Sequence, residues 1–191
     1  MRVARIAMLA ALVVMPAAMV RADETIDNPE FANWSKFKAG TSVTMKTVSE
    51  VSGMSNESTL KTTLLEVGSD KVVVETAISM TVGGMKIDVP PMKRDIAKTI
   101  TVTDDYKKAK AEAEKQKANV KTEEGTETLT IGGVECKCKW THSKISVMGS
   151  DVDSKIWTCD DVPGVTVKME STTSGTVSVK SKFEVTEFKK G

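Results

Sequence analysis

The stretch "CKCKWTHSKISVMGSDVDSKIWTC", residues 136–159, holds all three cysteines of the 191-residue chain (Cys136, Cys138, Cys159). It also holds the one histidine, His142, and two of the three tryptophans, Trp140 and Trp157. Three kinds of chemistry are open to these residue types. Two thiols can pair as a disulfide, three thiols and an imidazole can form the tetrahedral set that Zn²⁺ prefers, and one thiolate can act as a nucleophile. The nucleophile lacks both a C-x-x-C partner and a second histidine. For zinc, Cys-x-Cys on an extended strand sets the sulfurs about 7 Å apart, too far for one ion unless the strand bends. Cys136, Cys138, His142 and Cys159 therefore stand as the alternative metal set. The disulfide leads: a turn at Met148-Gly149 sets Cys138 opposite Cys159, and Cys136–Cys159 is the second choice. Closing a loop of about 20 residues in this way is worth on the order of 3 kcal/mol, and one cysteine is left over.

Other constellations carry less. Asp151-x-Asp153 and Asp160-Asp161 lack the glycine and glutamate offsets of an EF-hand loop and read as turn and strand-end residues. No G-x-S-x-G, P-loop or H-E-x-x-H occurs. With one histidine, acid–base catalysis would depend on perturbed carboxylates. The expectation is a protein that is not an enzyme and uses no cofactor.

The elements that must position the cysteines are mostly strands. Val43, Met45 and Val51 share a parity, as do Val72, Val74, Ile78, Met80 and Val82. The same holds for Val165, Val167 and Met169, and for Val177, Val179, Phe183 and Val185. Such alternation marks half-buried antiparallel strands. Gly83-Gly84 and Gly132-Gly133 fit two-residue hairpin loops, setting Val82 against Met85, Met80 against Ile87, Ile131 against Val134, and Leu129 against Cys136. "VGSDKV" and "STTSGT" supply longer loops, and the whole predicts a meander of about eight to ten strands. Pro90 and Pro91 place "VPPMKRD" in a loop or at a sheet edge. Cys136, Cys138, Trp140 and His142 share one parity while Ile145 and Val147 have the other, which predicts a bulge or bend near Ser143 and Lys144.

Two helices complete the reading. "NPEFANWSKFKAG" has Asn28 as N-cap, Pro29 in the first turn and Gly40 as the stop, with Phe31, Trp34 and Phe37 or Lys38 on the core side. "DDYKKAKAEAEKQKANVK", residues 104–121, predicts a charged surface helix capped by Asp104 or Asp105, with a thin seam of Tyr106, Ala109, Ala113 and Val120.

The N-terminus "MRVARIAMLAALVVMPAAMVRADE" has Arg2 and Arg5, then an apolar run from Ile6 to Met15, then Pro16 and small residues. It reads as a signal peptide, residues 1–22, cleaved after Ala22; the run is short for a membrane anchor. The remaining residues 23–191 predict one β-rich domain, exported to the periplasm or beyond and soluble there. Cleavage takes three arginines and no acid from 27 basic and 26 acidic groups, leaving a net charge of about −2 with Arg94 as the sole arginine. One arginine and one tyrosine argue against nucleic acid.

Three segments, "NPEFANWSKFKAGTSVTM", "GTETLTIGGVECKCKW" and "IWTCDDVPGVTVKMES", together resemble small exported β-proteins of planctomycete-type bacteria. By architecture the layout is also similar to the lipoprotein-carrier-like half-barrels, whose curved sheets cup acyl chains. That resemblance implies a mainly β fold, a curved antiparallel meander, and an apolar or lipid-like ligand. The functional expectation is a non-enzymatic exported binding protein for such a ligand, not membrane-spanning. A cell-envelope structural or protein-interaction module is the alternative, and a zinc-binding domain through the Cys/His cluster the third.

Overall fold

The computed structural model describes residues 24–51, 53–117, 120–147, 149–175 and 178–191. The expected signal peptide and Val177 lie outside them. The fold is mainly β, with antiparallel strands and two helices. Nine strands form the main sheet: β2 (Ser42–Val51), β3 (Met54–Val67), β4 (Lys71–Val82), β5 (Met85–Ala97), β7 (Lys121–Ile131), β8 (Val134–Val147), β9 (Ser150–Thr158), β10 (Thr166–Ser174) and β11 (Val179–Lys189). Two short strands, β1 (Thr25–Asp27) and β6 (Thr99–Thr101), pair separately. The eight to ten expected strands thus become eleven among the described residues.

The sheet order, β5-β4-β3-β2-β11-β10-β9-β8-β7, is two meanders joined at β2 and β11. The connection from β5 through β6 and helix α2 (Asp104–Lys117) carries the chain from one edge of the sheet to the other. The sheet curves strongly enough for β7 to touch β11, but the two are not paired, so no barrel closes. Both glycine hairpins have the expected registers, with Val82 facing Met85 and Ile131 facing Val134. All four of these glycines have positive φ, the conformation that lets a two-residue loop follow the twist of its strands. β5, which carries Pro90 and Pro91, is an edge strand, where a missing N–H breaks no ladder.

Several expectations change. Helix α1 is Pro29–Trp34, six residues; Ser35 ends it rather than Gly40. Its cap is as read: Asn28 Oδ1 accepts from Glu30 N at 3.0 Å. For α2 the cap is Thr103, whose Oγ1 accepts from Tyr106 N at 3.2 Å. Asp104 and Asp105 sit in the first turn instead, where their charge favours the helix dipole. Lys121 belongs to β7, not to the helix. Val165 stands in the turn before β10 at φ +63°. No bulge occurs at Ser143-Lys144: β8 holds an unbroken register with both neighbours through this point. Both faces of β8 are partly buried there, so a change of apolar parity needs no kink.

The core gathers at the end of the sheet where β2 starts. On one face Val43, Leu64, Val74 and Ile96 are buried, together with Phe31 and Trp34 of α1. On the other face, in β7–β9, Ile131, Cys136, Cys138 and Trp157 are buried. Gly132 lies against the Phe188 amide, where an added Cβ would sit 2.7 Å from its nitrogen.

Candidate functional site

The expected cysteine cluster assembles as thiols. Register in β8–β9 pairs Lys139 with Thr158, and one step further places Cys138 opposite Cys159. The Cys136 thiol donates to the Val134 carbonyl at 3.7 Å and the Cys138 thiol to the Cys136 carbonyl at 3.4 Å, with Cys159 as their neighbour across the hairpin. All three are buried and carry no disulfide in this structure. Burial, then the neighbouring Cys159, raises the Cys136 thiol and pushes Cys138 up to about 11. Thiols held this far above neutrality are poor nucleophiles.

His142 does not join them. It stands four residues along β8 from Cys138, about 13 Å at the rise of a strand. Its Nε2 is 2.7 Å from Asp153 Oδ1, and its Nδ1 is 3.7 Å from Glu123 Oε2. The bond to His142, and then Lys144 at 3.1 Å, hold the Asp153 carboxyl below its ordinary range. Among the described residues no group of three or more His, Cys, Asp or Glu is placed to hold a metal ion. The four-ligand Cys/His set is therefore not brought together. Asp151 is a strand residue bonded to Ser146, as the turn-and-strand reading of the paired acids expects.

Between the thiols and His142 lies an aromatic–cation cluster. The Lys155 ammonium is 4.3 Å from the Trp140 ring centre and 4.6 Å from that of Trp157, with Lys168 4.5 Å from Trp157. Trp157 Nε1 donates to Glu127 Oε2 at 2.8 Å. Trp140 lies over Gly125 of β7, where a Cβ would come within 2.5 Å of the indole. Replacing Gly125 with alanine should therefore push the indole off its seat and cost about 1–3 kcal/mol, read from a denaturant melt followed by tryptophan fluorescence. An unchanged midpoint would refute this reading.

The two faces of the main sheet are chemically distinct. One carries charge in pairs: Lys46–Glu57 at 2.8 Å, Lys86–Asp88 at 3.2 Å, Lys168–Glu170 at 3.0 Å and Lys182–Glu184 at 3.0 Å. On the other, registers place Met45, Leu60, Ile78, Met80, Ile87 and Met92 together across β2–β5. Met54, Val82, Met85, Ile87 and Met92 on this apolar face are all more than two-fifths exposed. Beside them a row of small hydroxyls crosses the sheet through Ser49, Ser181, Ser171, Ser154 and Ser143.

At the core end of the apolar face, α1 and the Pro163-Gly164 turn roof a cleft of about 390 Å³, lined by Trp34, Val43, Met45, Leu60 and Met92. Asn33 ties roof to turn, its Oδ1 accepting from Gly164 N at 2.7 Å. Arg94 Nη1 and Nη2 both donate to Glu30, at 2.9 and 2.5 Å, on the cleft wall. Sequence reasoning noted Arg94 only as a lone arginine and missed its partner. The parity of Met92 and Arg94 along β5 was the available signal.

No family model matches the chain, and neither does any curated protein. A protein from Bacteroides fragilis, described as exported and as having a YMCC-like fold, is a distant structural neighbour at 9% identity. The match covers 81% of this chain and 97% of the neighbour, with a TM-score of 0.36. Among the described residues no helix is long and apolar enough to cross a membrane.

Proposed function

We propose that residues 1–22 are a removed signal peptide and that residues 23–191 form a single exported domain, periplasmic or extracellular. On this reading the domain works by binding rather than catalysis, and its ligand is apolar or lipid-like and lies on the face formed by β2–β5. The observation that carries the proposal is the division of the sheet. One face pairs its charges in solvent, and the other leaves large Met, Ile and Val side chains uncovered beside an apolar cleft. Contiguous exposed apolar surface marks a binding site more often than chance exposure does, and methionine adapts to ligands of varied shape. A cleft of this size is at the small end for pockets of about 300–1,000 Å³, so a long chain would fill it and continue along the open face.

Ile87, at 47% exposure, separates binding from folding. Ile87→Lys should leave the melting temperature nearly unchanged and weaken a fluorescent fatty acid about tenfold or more, because the ammonium must be desolvated under the ligand. Wild-type protein that ignores fluorescent fatty acids and carries no lipid in native mass spectra would refute the proposal. The open edges β5 and β7 favour a second reading, an envelope interaction module. Concentration-dependent assembly in place of lipid binding would select it.

A further inference from the structure

We infer that Arg94 anchors an anionic headgroup, with Glu30 occupying its place in the free protein, so that the ligand class is an amphiphile bearing a carboxylate or phosphate. The inference rests on the cleft reading above and adds the chemistry of the ligand's polar end. Residues 24–191 contain one arginine, and it stands in the wall of the apolar cleft. Among the described residues that line this cleft, Arg94 is the only cation and Glu30 the only anion.

The guanidinium already grips a carboxylate through two parallel bonds. That planar fork fits a carboxylate or phosphate equally well. Glu30 and Arg94 are 40% and 56% exposed, so an incoming anion can reach the pair from solvent, and a pair this exposed is held only modestly. Glu30 sits in the first turn of the short α1, whose Trp34 lines the same cleft. A headgroup that displaced Glu30 would place its chain on Met92, Leu60 and Met45. Thr62 and Thr76, whose hydroxyls lie 3.4 Å apart beside them, can turn toward headgroup oxygens.

The rival explanation is a strut that only fastens α1 to β5, and the two differ in sign. If Glu30 competes with the ligand, Glu30→Gln strengthens anionic ligands while Arg94→Gln weakens them; a strut makes both variants worse or leaves both alike. The test compares palmitate, hexadecyl phosphate and neutral hexadecanol by calorimetry, each below its aggregation limit, with acetate and inorganic phosphate as headgroups without a chain. Wild type should prefer the two anionic chains over hexadecanol by about tenfold, the order expected of one charge-assisted bidentate contact. Arg94→Gln should abolish that preference, Arg94→Lys should keep part of it, and Glu30→Gln should enlarge it severalfold. Thermal melts confirm that each variant is folded.

Equal affinity of wild type for palmitate and hexadecanol overturns the anchor while leaving the cleft reading intact. Binding of no chain at all overturns both. Inorganic phosphate that binds as tightly as hexadecyl phosphate would make the site one for free anions, which also overturns the proposal.

Discussion

Replacing Cys159 with serine should lower the melting temperature by roughly 6–12 °C, and denatured, unreduced wild type should show one free thiol per chain. The expectation follows from strand geometry. Residues directly opposite on antiparallel strands have Cα atoms about 4.5–5.5 Å apart, inside the roughly 4.4–6.8 Å that a disulfide spans. Cys138 and Cys159 are such a pair by continuation of the β8–β9 register. Cys136 meets Cys159 only on the diagonal, about 7 Å away, so it should be the thiol left over. Oxidation needs an export compartment, which the proposed signal peptide would supply. A bridge closing about 20 residues is worth on the order of 3 kcal/mol, and a domain of this size loses about 2–4 °C per kcal/mol. Counting must be done in denaturant, because buried thiols, with Cys138 raised to about 11, react slowly in the folded state whether or not a bridge exists. Cys136→Ala should bring the count to zero. Three free thiols in wild type would rule out the bridge, and three free thiols with bound zinc would hand the cluster to a metal.

The second large effect is expected at Trp34. A six-residue helix has no stability of its own, so α1 is held by what it buries, and Trp34 is 3% exposed. Truncation to alanine should cost about 3–5 kcal/mol, a fall of roughly 6–20 °C. It should also enlarge the cleft, because the indole forms part of its wall. Urea denaturation measures the first effect, and a changed order of affinity among fatty acids of increasing length measures the second. A loss below about 1 kcal/mol would mean that the helix is a passive cover.

Features written into adjacent residues were readable in the sequence. Asn28 and Pro29 announced the start of α1, the glycine pairs fixed two registers, and two consecutive prolines pointed to a loop or edge. A turn at Met148-Gly149 was enough to set Cys138 against Cys159, since Val147 does pair with Ser150. What depended on distant partners was not readable. Nothing in residues 42–51 names residues 179–189 as neighbours, so the joining of the two meanders was missed. The bond of His142 to Asp153 across the hairpin was one such feature, and the pairing of Arg94 with Glu30, 64 positions away, was another. Gly125 did carry a signal: a glycine inside a strand often marks a close approach, here by Trp140. No bulge forms because β8 is partly buried on both faces near Ser143-Lys144, so the apolar parity changes without a break in register.

The pairing of β2 with β11 has a consequence for how the molecule is made. Ser49 and Ser181, bonded through their hydroxyls, are 132 positions apart, and this seam lies in the middle of the sheet rather than at a margin. Loop-closure entropy makes so remote a pairing slow to form. Each meander can assemble from its own hairpins, but neither can complete the buried cluster alone, since Val43 and Val185 lie on opposite sides of the seam. A chain emerging from its N-terminal end therefore stays incompletely folded until β11 is out. On the proposal that the domain is exported, such lateness would suit a polypeptide that must remain threadable while it crosses a membrane, and folding would then become an event of the destination compartment.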